Sequence, residues 1–156
     1  MANGEGPTTG LDQRTLFIER LFDAPRDLVF KAWTDPEHMA QWWGPRGFAS
    51  TGQKFEFRTG GAYLIHMRSP EGTDHWSQGV YQEIVVPEKL VMAGSWVDAR
   101  GNPTTPQTVL TVTFEDVAGK TRLTLRQIFE SESARNAHRS GWTSSLERLA
   151  EHLSSI

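Results

Sequence analysis

The stretch SESARNAHRSGWTSSLERLAEHL, residues 131–153, carries the longest helical pattern in the chain. Its apolar residues recur on one face of an α-helix, at steps of four, three and four: Trp142, Leu146, Leu149 and Leu153. Ser131 or Ser133 can cap the start of this helix, because a serine oxygen accepts a hydrogen bond from an otherwise unpaired backbone N–H. Gly141 interrupts the pattern at a cost of about 1 kcal/mol relative to alanine. Either the helix passes close to its partner there, or something else needs the space.

The apolar face of this helix needs a surface to pack against, and the sequence upstream is mostly strand-like. Residues 15–22, TLFIERLF, are β-branched and aromatic and predict a first strand. Two short helices follow, because Pro25 suits the first position of one helix and Asp35 can cap the next, which ends near Trp42. The simplest inference is a β-sheet that grips one C-terminal helix.

Between residues 47 and 129 the sequence shows period-two alternation and frequent turn residues rather than a helical period. This pattern predicts an antiparallel meander. Its strands are expected at 54–58, 63–68, 75–86, 89–97, 107–114 and 121–129, with residues 115–120 joining the last two. The order of elements is therefore β-α-α-β-β-β-β-β-β-α. It predicts an α+β fold in which a curved antiparallel sheet of about seven strands wraps around the long C-terminal helix.

Composition excludes several classes of protein. The chain has 156 residues, the size of one domain, and we expect a disordered leader over 1–14 and a single domain over 15–156. The net charge of −3 argues against nucleic-acid binding, and no apolar run approaches the roughly 20 residues of a membrane span. The absence of cysteine excludes disulfides and thiol chemistry and fits a cytoplasmic protein. The exposed edges of such an open sheet make a homodimer plausible.

Short motifs in a fixed order give the chain a family resemblance. They are AP (24–25), VFxxWTDPE (29–37), QWWGP (41–45), GG (60–61), MRxPxG (67–72), GVYxEI (79–84), PEKLV (87–91), TxLTL (121–125) and GW (141–142). Together they resemble the AHSA-type family, which is similar to the C-terminal domain of the activator of the 90-kDa heat-shock-protein ATPase. This family belongs to the SRPBCC, START and birch-pollen-allergen superfamily, whose helix-grip fold has the same order of elements.

The resemblance implies a hydrophobic cavity between the sheet and the last helix, but it does not imply one activity. Relatives include carriers of apolar ligands, cyclases and aromatases, and co-chaperones. Three hypotheses follow: binding of a hydrophobic small molecule, catalysis on an aromatic or polyketide-like substrate, and stimulation of a heat-shock ATPase. No cofactor and no metal is expected, because the five histidines lack a compact ligand spacing.

Six Trp and eight Phe in so short a chain either fill the core alone or also line a cavity. Strand alternation and the helix face predict the cavity-lining residues. They are Trp33, Trp43, Phe55, Phe57, Tyr63, Ile65, Met67, Trp76, Met92, Trp96, Gln127, His138 and Trp142. A ligand buried there gains about 25 cal/mol per Å² of apolar area. A one-residue bulge in any strand would invert part of this set.

Catalysis would require an ionisable group inside the cavity. Glu83 is the best candidate for a general acid, because it lies in an otherwise apolar run and burial would raise its pKa. The alternative for Glu83 is an ion pair at the surface. Glu56 and Asp74 are weaker candidates, and His138 lies four residues before Trp142, on the side that can face the cavity. The hydroxyl groups of Tyr63 and Tyr81 offer neutral hydrogen-bonding groups.

Overall fold

The structure, a computed structural model, describes residues 10–156, apart from the side chains of residues 51–53. Its helices are α1 (Gly10–Arg14), α2 (Arg26–Thr34), α3 (Pro36–Trp42) and α4 (Glu132–Ser154). Its strands are β1 (Thr15–Phe22), β2 (Ala49–Phe55), β3 (Ala62–Arg68), β4 (Asp74–Val85), β5 (Lys89–Val97), β6 (Thr108–Val117) and β7 (Lys120–Ile128). The predicted fold class, a curved antiparallel sheet with a long C-terminal helix, is confirmed.

The seven strands form one antiparallel sheet in the order β1-β7-β6-β5-β4-β3-β2. The first two strands of the chain therefore lie at opposite edges, and α2 and α3 carry the chain between them. Asp35 caps α3 as predicted, since its side chain accepts a hydrogen bond from the backbone N–H of Glu37 at 2.9 Å. The indole N–H of Trp42 donates to the carbonyl of Ala32 at 2.9 Å and so fixes α3 against α2.

The predicted disordered leader is wrong for its last five residues, because Gly10–Arg14 form α1. Arg14 ties this short helix to the end of β7. Its guanidinium donates to the carbonyl of Phe129 at 3.1 Å, and the backbone N–H of Phe129 donates back to the carbonyl of Arg14 at 2.9 Å. Residues 1–9 lie outside the described part of the chain.

The predicted six-residue connection between β6 and β7 is also wrong. The two strands pair as far as Val117 and Lys120, so that Ala118 and Gly119 alone make the turn. Both residues have positive φ, 53° at Ala118 and 87° at Gly119, which is the conformation of a type I′ hairpin turn. Because only two residues make the turn, strand pairing and the alternation of side chains continue in β6 to Val117 and in β7 from Lys120. Ala118 is strained, since a Cβ atom disfavours this region.

The two halves of α4 differ in burial. Ser131 caps the helix by accepting a hydrogen bond from the backbone N–H of Ala134 at 3.0 Å. The fully buried residues of α4 all lie in its second half: Ser145, Leu146, Leu149 and Leu153. The first half, from Glu132 to Thr143, is less buried and packs against the edge of the core through Ala134 and Trp142.

The second half of α4 is anchored to the segment that follows α3. The guanidinium of Arg148 donates to the carbonyls of Trp43, Gly44 and Pro45 at 3.3, 2.9 and 3.1 Å, and to the carbonyl of Gln41 at 3.3 Å. These carbonyls lie at and just beyond the end of α3, where no helical N–H groups follow to pair with them. The Pro45 carbonyl also accepts from the backbone N–H of Phe48 at 3.0 Å. One turn earlier, Ser145 Oγ accepts from the N–H of Gly44 at 3.1 Å.

A histidine pair joins the same two helices. His38 Nδ1 on α3 and His152 Nε2 on α4 lie 2.9 Å apart, and their rings meet edge to face. One nitrogen must donate and the other accept, so the contact requires at least one neutral ring. Burial and the neighbouring His38 lower the pKa of His152 below its ordinary value.

Relief of the strained turn should stabilise the protein. We predict that Ala118→Asn raises the free energy of unfolding by about 1 kcal/mol, because asparagine tolerates positive φ and Asn-Gly is the preferred type I′ sequence. Urea denaturation measures the change. Ala118→Val is the matched control and should destabilise, since a β-branched side chain disfavours this conformation further. Equal stability of all three proteins would contradict the strain at Ala118.

Loss of the Arg148 anchor should destabilise the fold. We predict that Arg148→Met lowers the free energy of unfolding by about 2 kcal/mol, because several charge-assisted hydrogen bonds to carbonyls are lost together. Arg46→Met is the control: Arg46 pairs with Glu151 at 2.9 Å, but both side chains are more than half exposed. Its loss should cost clearly less than the loss of Arg148, because water and salt screen an exposed ion pair. Comparable losses for the two variants would refute the anchoring role.

The histidine pair should make stability fall on acidification. His152 binds protons less readily in the folded protein than in the unfolded chain. Its contribution to the free energy of unfolding is therefore present above the unfolded pKa of about 6.5 and is lost as the pH falls below that value. We predict that His152→Gln reduces the loss of stability between pH 7.5 and pH 5, measured by thermal unfolding. If the loss of stability on acidification were unchanged in this variant, a group other than His152 would cause it.

Candidate ligand-binding site

A cavity of about 290 Å³ lies between the concave face of the sheet and the first half of α4. Strands β3 to β7, the segment after α3 and α4 all contribute to its walls. The buried residues of α4 lie in its second half, and the cavity lies beside its first half. Apolar and aromatic side chains form most of its surface. Its volume equals about ten water molecules at roughly 30 Å³ each, enough for a ligand of two or three aromatic rings.

Nine of the thirteen residues predicted to line a cavity lie around it: Trp43, Tyr63, Ile65, Met67, Met92, Trp96, Gln127, His138 and Trp142. The alternation of β3 places Tyr63, Ile65 and Met67 on the buried side, as the sequence predicts. His66 lies on the opposite face of this strand, where its ring stacks on Trp76 at 5.2 Å. The role of these nine residues in binding stays a prediction.

Trp76 faces away from the cavity, and the prediction for it is corrected. The register of the β3–β4 hairpin pairs Trp76 with His66 and pairs Met67 with His75, and paired residues share a face of the sheet. His75 and Ser77 therefore line the cavity in place of Trp76. The signal was present in the sequence: counting outward from the Pro70-Glu71-Gly72 turn pairs Arg68 with Asp74 and sets the parity of β4.

Trp33, Phe55 and Phe57 also lie outside the cavity wall. Trp33 forms a second layer behind it, 1% exposed and stacked on Trp142 with ring centroids 5.9 Å apart. Phe55 ends β2 and packs against the core rather than the cavity. Phe57 follows that strand, is 39% exposed, and contacts the rings of Phe30 and Tyr81. The strand predicted over 54–58 ends at Phe55, so the alternation does not extend to Phe57.

Gly141 faces the cavity, and the close approach to the sheet that the sequence suggested is not found. A Cβ atom built at Gly141 would meet Pro45 Cγ at 3.6 Å, an ordinary van der Waals distance. Both residues line the cavity. The second explanation from the sequence, that something else needs the space at Gly141, agrees better with the structure, since the missing side chain leaves room in the cavity.

His138 has partners at both ring nitrogens. Its Nδ1 donates to the carbonyl of Ala134 at 2.8 Å, and its Nε2 accepts from the indole N–H of Trp96 at 3.2 Å. An indole N–H can only donate, so the neutral ring carries its proton on Nδ1. The ring also stacks on Phe129 with centroids 4.5 Å apart. These contacts make His138 a fixed part of the wall rather than a free base.

The carboxylates considered for acid–base chemistry lie outside the cavity. Glu83 is half exposed and pairs with Lys89 at 3.1 Å, the surface ion pair that was the alternative for this residue. Hydrogen bonds from Arg68 and then His66 lower the pKa of Asp74, and the backbone N–H of Ala62 lowers that of Glu56. A general acid needs a raised pKa, so these two groups are shifted in the wrong direction.

The hydroxyl and amide groups inside the cavity carry no charge. Burial raises the pKa of the Tyr63 hydroxyl to about 12, although a hydrogen bond with Ser77 opposes the shift. The amide of Gln127 donates to Thr108 Oγ1 at 2.9 Å and accepts from the indole N–H of Trp142 at 2.8 Å. Among the described residues that line the cavity, none is lysine or arginine, and the one carboxylate, Glu130, is exposed at its rim.

Tyr81 does not line the cavity, although the sequence suggested a hydroxyl there. Its side chain is 1% exposed, and burial raises the pKa of its hydroxyl. Its oxygen finds no hydrogen-bond partner within residues 10–156. In the same part of the chain, no group of three or more histidine or acidic side chains is placed to hold a metal ion. No helix there is long and apolar enough to cross a membrane.

A curved seven-stranded sheet, a C-terminal helix across it and a cavity between them define a helix-grip protein. The family of Activator of Hsp90 ATPase homolog 1-like proteins matches residues 23–154, and the chain belongs to that family. The resemblance found in the sequence motifs is thereby confirmed. No protein of curated function matches the sequence.

Solved structures of similar proteins agree with this assignment. A protein from Arthrobacter aurescens is 28% identical, with a TM-score of 0.85 over 93% of this chain and 88% of its own. The AHSA1 protein from Silicibacter pomeroyi is 25% identical, with a TM-score of 0.82 over 90% of this chain and 98% of its own. A protein from Nitrosomonas europaea, 22% identical, has the same fold with a TM-score of 0.80, covering 92% and 96% of the two chains.

Proposed function

We propose that this protein binds an uncharged, mainly aromatic small molecule in the cavity between the sheet and α4. The observation that carries the proposal is the cavity itself, about 290 Å³ in volume and walled by apolar side chains. A core evolved for stability alone is close-packed, with few voids larger than a water molecule. An apolar space of this size therefore has a stability cost that ligand binding would explain.

The charges around the cavity support a neutral ligand. Transfer of an ionised group into an apolar space without a partner costs several kcal/mol. The described lining offers no lysine or arginine to pair with an anion. The aromatic faces of Trp43, Trp96 and Trp142 suit the flat surface of an aromatic ring, and Met67 and Met92 can adapt to its outline.

A matched pair of dyes tests the proposal. N-phenyl-1-naphthylamine and its 8-sulfonate share one skeleton and differ in a single negative charge. We predict saturable fluorescence enhancement with the neutral dye at one site per chain. Binding of the sulfonate should be at least about tenfold weaker, a difference of about 1.4 kcal/mol, because its charge is unpaired in the cavity.

Two variants at Gly141 locate the dye. Gly141→Leu should remove most of the binding, since its side chain projects from α4 into the space beside Pro45. The methyl group of Gly141→Ala fits at van der Waals distance from Pro45, so this variant should still bind the dye. Circular dichroism establishes that both variants are folded. Absence of saturable binding of the neutral dye to the wild-type protein, or equal binding to the wild type and the Leu variant, would overturn the proposal.

A further inference from the structure

The floor of the cavity carries a row of four residues that pair across four strands. Tyr63 pairs with Gly79, Gly79 with Gly94, and Gly94 with Thr108. Paired residues point to the same face of a sheet, so the row runs across the concave face. Its two central positions have no side chain, which leaves a trough in the floor between Tyr63 and Thr108.

The hydroxyl of Tyr63 lies in this trough. A Cβ atom built at Gly79 would come within 2.7 Å of Tyr63 Oη, and one built at Gly94 would come closer still. The two glycines therefore allow the phenol to lie along the sheet with its oxygen over Gly94. Ser77 is its hydrogen-bonding partner. The Tyr63 hydroxyl carries one proton, which it can donate either to Ser77 or to a ligand in the cavity.

The opposite side of the trough carries the amide of Gln127. Its orientation is determined, because the indole N–H of Trp142 can only donate and must face the amide oxygen. Thr108 then takes one of the two amide protons. One N–H and one oxygen lone pair of Gln127 remain without a partner among the described residues. Gly94 and Thr108 are register partners, so the hydroxyl over Gly94 and the amide bonded to Thr108 lie at neighbouring positions of the concave face, with a gap between them.

We propose that this gap binds one neutral oxygen of the ligand, a hydroxyl or a carbonyl attached to an aromatic ring. The oxygen accepts a hydrogen bond from the Tyr63 hydroxyl on one side. On the other side it meets Gln127, which donates to a carbonyl or accepts from a hydroxyl. The ring then lies against the apolar part of the wall. This inference rests on the proposed function and adds the polar group that the ligand must carry.

Two naphthalenes that compete with N-phenyl-1-naphthylamine test the inference. 2-Naphthol carries a hydroxyl group where 2-methylnaphthalene carries a methyl group. In Tyr63→Phe, we expect 2-naphthol to bind about fivefold more weakly than in the wild-type protein, the effect of one lost hydrogen bond. Binding of 2-methylnaphthalene should stay within about twofold. Gln127→Leu should give the same selective loss, independently of any change in stability at residue 63.

Tyr81→Phe is the matched control. Tyr81 is equally buried and adjoins Tyr63, with ring centroids 5.8 Å apart, but it lies outside the cavity lining. Loss of the Tyr81 hydroxyl should leave the affinities for 2-naphthol and 2-methylnaphthalene unchanged. Equal losses of both naphthalenes in Tyr63→Phe, or no loss of 2-naphthol in either cavity variant, would overturn the polar gap while the dye still binds. Failure of the wild-type protein to bind the dye would overturn the proposed function and this inference together.

Discussion

The guanidinium of Arg148 is the contact on which the arrangement of the helices depends. It lies where α3 ends and donates to three backbone carbonyls just beyond that helix. The segment that follows α3 would otherwise expose these groups beside the apolar cluster of Trp33, Trp42 and Trp43. The same side chain belongs to α4, so one cation fixes the end of one helix and the position of the other.

This anchoring separates two roles along α4. Beyond Ser145 the helix packs into the core through three leucines and behaves as an ordinary amphipathic helix. Before Ser145 it presents His138, Gly141 and Trp142 to the cavity. The second half is fixed by its leucines and Arg148, while Trp142 and His138 connect the first half to the sheet around the cavity. Cavity and core are thus adjacent parts of one helix–sheet interface.

Much of the fold is predictable because strong local signals agree with one another. The first strand, the Asp35 cap and the inward side of β3 follow from alternation and capping chemistry. The errors arise where register rather than residue type decides. Trp76 is aromatic but pairs with the outward-facing His66, while the polar His75 faces inward. The β6–β7 connection was predicted too long because Ala118 has a positive φ. Alanine rarely adopts that conformation, so the sequence does not indicate a two-residue turn there. Gln127 was found by parity, but its pairing with Trp142 depends on how α4 lies over the sheet, which no local pattern contains.

The two-part helix also determines how the protein opens. Local unfolding begins where few apolar contacts are buried, and in α4 that is the half that covers the cavity. Fraying of this half would widen the opening of the cavity while the leucines beyond Ser145 and the Arg148 contacts stay in place. Access to the interior is therefore decoupled from global unfolding. Amide hydrogen exchange along α4 would accordingly divide near Ser145, with the slower-exchanging half serving as the hinge for the faster one.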